Sequence, residues 1–192
     1  MSSISIAGDT SGAVTLAAPA IAGTNTMTLL AATGNLGPKV LSTAVASTSG
    51  TSIDFTGIPS WVVRITVMFN GVSTSGINDI IIQLGTGSTP TYTTSGYLGS
   101  VSTQTGTTAN FSSGFTLING ITAASVFHGN IIICNVTGNT WSEIGLLGNS
   151  NSAGIRTSGG SVPLAATLTA VRITTAGGTD TFDAGTINIL YE

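Results

Sequence analysis

The residues able to do chemistry in this chain are few enough to weigh one by one. Its single imidazole is His128 and its single thiol is Cys134, so a Ser-His-Asp or Cys-His arrangement would have to use His128 as its base. His128 lies in SVFHGNIII with no nucleophile motif nearby, and reads as a strand or interface histidine. A zinc site needs three or four His, Cys or carboxylate ligands at suitable spacing, which one His and one Cys do not supply. Calcium has a better case in TAGGTDTFDAG (175–185), where Asp180 and Asp183 sit among many carbonyls. The segment lacks the D-x-D-x-D-G pattern and the closing Glu of a calcium loop, and reads as a turn whose Asp side chains cap their own backbone.

Paired carboxylates could hydrolyse a glycan. The acidic residues are Asp9, Asp54, Asp79, Glu143, Asp180, Asp183 and Glu192. Only Glu143, in TWSEIGLL with Trp141, has the look of an acid beside a sugar-stacking ring. The alternative is an exposed strand residue flanking a core tryptophan. Gly85-Thr86-Gly87 leads into Ser88, Thr89 and Pro90, a turn rather than a phosphate loop. Two glycosylation sequons, at Asn110 and Asn135, are what chance provides in a chain so rich in Asn, Ser and Thr. No catalytic residue, metal site or cofactor site emerges, and the chain reads as a non-enzyme.

Composition explains the shortage. Gly, Ser and Thr fill 82 of 192 positions, while 6% of residues are charged and 41% are apolar. An ordinary soluble domain is roughly 25% charged. A charge-rich disordered tail, a coiled coil and a charged helical bundle are thereby excluded, and the apolar content is enough to drive burial. The net charge of −3, with no cluster of either sign, excludes nucleic-acid binding through phosphate neutralisation. No run of 18 apolar residues predicts membrane insertion; WVVRITVMF (61–69) is short and broken by Arg64. Residues 1–10 lack the basic and apolar regions of a signal peptide. Cys134, in the apolar run IIICNV, reads as a small buried hydrophobe with no disulfide partner.

The elements that would position these residues have period two. Residues 52–56, 61–69, 79–85, 125–136, 140–147, 164–175 and 186–191 are β-branched or aromatic and bounded by Gly, Ser, Asn or Thr clusters. Weaker strands are expected at 97–103 and 110–118. No segment carries the i, i+3, i+4, i+7 apolar pattern of a helix. The expectation is an all-β protein, an antiparallel jelly-roll-like sandwich over about residues 47–192. GIPSW (57–61) is a turn in which Pro59 fixes φ, with Trp61 opening the most hydrophobic strand. Ile53, Phe55, Trp61, Val63, Ile65, Val67 and Phe69 are expected on the core face. Arg64 stands opposite with Val62, Thr66 and Met68, on a face apolar enough to be covered by a neighbouring subunit.

Residues 1–46 read differently. Segment 4–35 is a run of short strand-like pieces with no aromatic residue and one charge, too few large side chains to offset its ordering entropy alone. It is expected to be a small β-rich arm for attachment or trimerisation, the alternative being a flexible tail. GPK (37–39) and STAVASTSGTS (42–52) mark a hinge before the sandwich.

TSIDFTGIPSWVVRITVMFNGVSTSG (51–76) resembles a segment of bacteriophage virion proteins, tail-fibre proteins especially. GDTSGAVTLAAPAIAGTNTMTLLAATG (8–34) is similar to a module of phage fibre and decoration proteins. The resemblance implies a non-enzymatic part of the virion exterior, assembled in the bacterial host cytoplasm. It implies a homotrimer mounted on a major capsid or tail protein through residues 1–46, as a capsid-decorating cement protein or a short tail fibre. A competing reading is a receptor-binding module for host surface glycan. Tyr92, Tyr97 and Trp141 are its candidate sugar contacts, and both tyrosines could equally be ordinary loop anchors.

Overall fold

The computed structural model describes the backbone of strands β1 (Ser3–Ala7) and β2 (Ala13–Ala17) and residues 37–192 other than 104, 105, 107 and 119. The chain divides into two compact units, residues 1–36 and residues 37–192. In the first, β1 and β2 form an antiparallel hairpin with Ser3 opposite Ala17 and Ala7 opposite Ala13.

The second unit is an all-β sandwich, with every strand pair antiparallel and no helix among the described residues. In chain order its strands are β3 (Val40–Leu41), β4 (Val45–Ala46), β5 (Ser52–Thr56), β6 (Arg64–Thr74), β7 (Ile80–Thr86), β8 (Thr91–Tyr92) and β9 (Leu98–Thr103). There follow β10 (Thr108–Phe111), β11 (Phe115–Thr116), β12 (Phe127–Thr137), β13 (Thr140–Asn149), β14 (Gly154–Pro163), β15 (Leu168–Thr175) and β16 (Phe182–Tyr191). The large sheet runs β10-β9-β14-β13-β12-β6-β16-β3, with β4 also on β16; the small sheet runs β11-β7-β15-β5, with β8 on β7.

Alternation builds the core between these sheets. Ile65, Val67 and Phe69 of β6, Ile131 and Ile133 of β12, and Ile187 and Ile189 of β16 are buried from the large sheet. Ile53, Phe55, Ile82, Leu84, Val171 and Ile173 meet them from the small one. Tyr97 packs edge-on to Phe115, with ring centroids 4.9 Å apart.

Three expectations need correction. Trp61 and Val63 were placed on the core face, but both are exposed and Val62 is buried. The reason is local. The Val62 N–H donates to Pro59 O in the turn, and β6 begins only at Arg64. The alternation that governs 65–69 therefore does not extend back to 61. Residues 37–46 belong with the sandwich unit, so the boundary expected after residue 46 falls after Leu36. Within the expected hinge, β3 and β4 pair with β16. Finally, Cys134 is half-buried rather than buried, because it alternates outward between Ile133 and Asn135 and lies level with Arg64 and Ser142.

Candidate functional site

The loops at one end of the sandwich form the first candidate site. Gly57, at φ 72°, opens the β5–β6 turn in a conformation that side-chain-bearing residues disfavour. Gly138, at φ 52°, turns the chain between β12 and β13. These turns and the β14–β15 loop surround a pocket of about 150 Å³, lined by Ser60, Val62, Asn135, Asn139, Trp141 and Thr167 among others. Trp141 points into the sandwich and is 4% exposed. Its Nε1–H is shielded from water and meets no acceptor among the described residues. Asn135 Nδ2 donates to Gly138 O at 2.9 Å, which holds the hairpin tip. Trp61, between Ser60 and Val62, is 42% exposed and packs on Tyr191 with centroids 5.8 Å apart.

The expected sugar contacts do not come together. Tyr97 is fully buried, and its hydroxyl accepts the Leu84 N–H at 2.8 Å. Burial pushes its pKa up to about 12. Tyr92 lies on the outer face of the small sheet, where the absence of a side chain at Gly85 leaves room for its ring. The Arg172 guanidinium covers that ring, 3.9 Å from its centroid. Burial, and then the Asp54 charge, raise the Tyr92 hydroxyl to about 12. Both tyrosines are therefore structural anchors, and Trp141 faces the end pocket rather than open solvent. Sequence reasoning missed Trp61 as the accessible indole. The signal was present, since a Pro two residues earlier makes 59–62 a turn and breaks strand alternation.

Arg172 is held by Asp54 through two hydrogen bonds, Nε to Oδ1 at 2.8 Å and Nη2 to Oδ2 at 2.7 Å. The two residues face each other across β15 and β5, with Gln83 on Arg172's other side. This is a cross-strand pair on a partly exposed surface.

Glu143 is not the exposed strand residue expected. It is 5% exposed, on the same inward face of β13 as Trp141 and Leu147. A spacing of two puts 141 and 143 on one face, so a core Trp141 carries Glu143 inward with it. Gly145 leaves space for the carboxyl. Ser158 Oγ donates to Glu143 Oε1 at 2.7 Å, and Oε2 has no partner. Burial raises the pKa to about 7, with the Ser158 bond opposing. Among the described residues no second carboxylate bonds it or shifts its titration, so their geometry offers no acid–base pair there.

The remaining candidates have structural roles. His128 is exposed, and its Nδ1 accepts the Gly71 N–H at 3.2 Å. Asp180 accepts the Asn78 N–H at 2.8 Å and Asn78 Nδ2 at 2.9 Å, and Asp183 bonds Ser73 Oγ. The two aspartates thus tie the 175–185 turn to the β6–β7 segment rather than capping their own backbone. Among the described residues no group of three or more His, Cys, Asp or Glu is placed to hold a metal ion. No helix among them is long and apolar enough to cross a membrane.

The second candidate is a surface. Leu98, Ile132, Ile144, Leu146 and Ile155 are exposed on the outer face of the large sheet, Ile144 by 65%. Ile132 stands directly opposite Ile144, and Leu146 lies between Asn130 and Thr157. From β9 across β14 and β13 to β12, no Asp, Glu, Lys or Arg among the described residues faces outward. An isolated exposed aliphatic residue is ordinary; five on one sheet face without an outward Asp, Glu, Lys or Arg form an apolar patch. The chain matches no family model, no curated protein and no solved structure.

Proposed function

We propose that this chain is a non-enzymatic structural component of a bacteriophage virion exterior: a homotrimer with a jelly-roll-like sandwich as its body, mounted through its N-terminal segment. The observation that carries the assembly is the uncharged aliphatic outer face of the large sheet. Water contact with Ile144, Leu146 and Ile155 is unfavourable at about 25 cal/mol per Å² of apolar area. With no charge on that face, its partner must be equally uncharged, and the same face of a second copy meets that requirement. The reading of the particle rests on the resemblance of residues 8–34 and 51–76 to phage fibre and decoration proteins. The separate N-terminal unit, with its own hairpin, suits a mounting segment for a major capsid or tail protein.

The test is the mass of the full chain by size-exclusion chromatography with light scattering. A species at three times the 19.0 kDa chain mass is expected. Ile144→Lys together with Leu146→Lys, both on the outer face, should give folded monomers. A stable wild-type monomer sinks the assembly reading. Immunogold labelling of purified particles then separates head from tail, and unlabelled particles count against a virion part.

A further inference from the structure

The bulge in β6 brings together the groups needed for a covalent change. Strands β6 and β12 shift register between the pairs Val72–Phe127 and Phe69–Gly129. Two residues of β6, Asn70 and Gly71, therefore stand against the single residue His128. Gly71 takes φ 69°, a conformation open to glycine, and its N–H donates to His128 Nδ1 at 3.2 Å. Asn70 is exposed, and no hydrogen bond to a described residue holds its carboxamide.

In an Asn-Gly pair the glycine nitrogen reaches the preceding side chain with least obstruction, because glycine has no Cβ. An amide nitrogen is a poor nucleophile until its proton is removed. Here an imidazole nitrogen sits on that N–H, within the distance over which a general base acts. An imidazole that accepts at Nδ1 carries its own proton on Nε2, so Nδ1 can take another. A second pair, Asn119-Gly120, gives an internal comparison. The Gly120 N–H donates to Asp79 Oδ1 at 3.0 Å, and a carboxylate is ordinarily a weaker base than imidazole.

We propose that Asn70-Gly71 is a self-modification site, at which His128 is the general base for conversion of Asn70 to aspartate and isoaspartate. His128 Nδ1 takes the Gly71 N–H proton as Gly71 N bonds to Asn70 Cγ. The Cγ–Nδ2 bond then breaks, and the departing nitrogen takes that proton back and leaves as ammonia. One water opens the resulting succinimide, giving aspartate by attack at Cγ and isoaspartate by attack at the Asn70 backbone carbonyl. Nothing is oxidised or reduced, and His128 ends as it began. Each event adds one negative charge, on the outer face of β6, to a chain of net charge −3. It occurs once per chain, so it is no enzyme turnover, and it does not depend on the virion reading.

The experiment incubates the full chain at about pH 8, on the neutral side of an ordinary imidazole, and follows residues 70 and 119 by peptide mapping in a mass spectrometer. Residue 70 should gain about 1 Da as NH2 is exchanged for OH. It should do so faster in the folded chain than in the same chain unfolded in urea, where His128 is no longer held beside it. His128→Gln keeps an acceptor for the Gly71 N–H but is no base. It should slow residue 70 by at least about tenfold, with residue 119 and the circular dichroism spectrum unchanged. A purely structural bond would leave the Gln variant as fast as wild type. Three results would each overturn the proposal: a residue 70 that stays unmodified or reacts no faster folded than unfolded, a slowing of less than about tenfold in His128→Gln, or an equal slowing at residue 119.

Discussion

Replacing Glu143 by Gln should stabilise this protein at alkaline pH and leave it almost unchanged in acid. The carboxyl lies in the core with one oxygen bonded to Ser158 and the other unpartnered. Burial raises its pKa from 4.5 to about 7, the Ser158 bond opposing. Between those values the folded chain holds a proton that the unfolded chain has released, so stability falls as pH rises. The contribution of the neutral acid is complete below pH 4.5 and lost by the time pH passes about 7. At 1.36 kcal/mol for each tenfold in proton affinity, the gap is worth about 3 kcal/mol. Gln keeps the shape and a neutral hydrogen-bonding group but cannot ionise. Urea unfolding of both proteins, at one fixed concentration because assembly would couple to stability, should show equal stability near pH 4. Near pH 8 the variant should be more stable by about 3 kcal/mol. Parallel pH profiles, or a variant less stable than wild type near pH 8, would refute the reasoning.

Other perturbations follow from the packing. A Cβ at Gly160 would come within 2.7 Å of Leu98 O and of Phe111 Cζ, so Gly160→Ala should cost about 1–3 kcal/mol in urea unfolding; a neutral effect would contradict the close approach of β14, β9 and Phe111. Asp54→Asn removes a partly exposed ion pair and should cost no more than about 1 kcal/mol, which thermal unfolding can check against a larger loss. Salt near 1 M, where the Debye length is about 3 Å, should leave the assembly intact on a sizing column, because the proposed contact face carries no charge. Dissociation there would point to an ionic interface.

Most of the strands were legible because their apolar residues are β-branched and spaced by two. IIICNV, TWSEIGLL and TINILY form strands wherever a sheet accepts them. Strand β14 was not legible: GIRTSGGSVP has no apolar alternation. It is extended because β13 and β9 pair with it on either side. Its Gly160, with Gly99 opposite, leaves the room that Phe111 fills. Sequence-local propensity carries no trace of that arrangement.

The candidate site divides in the same way. Its residue types were visible, one His and 11 charged residues among them. Which aromatic ring reaches solvent was not. Trp141 is drawn into the core by strand alternation, Tyr97 is buried just before β9 with its hydroxyl on the Leu84 N–H, Tyr92 is covered by Arg172, and Trp61 is freed because its turn ends before β6 starts. Composition and period by themselves determined a charge-poor, all-β protein, since both follow from residue types along the chain. For β5 and for residues 65–69 of β6 the alternation also named the buried face, whereas on β13 tertiary structure decided it. When both faces of a strand are apolar, alternation names two sets without ranking them, and only the second sheet selects the set that loses its water. That choice left Ile144 and Leu146 outside and carried Glu143 inside.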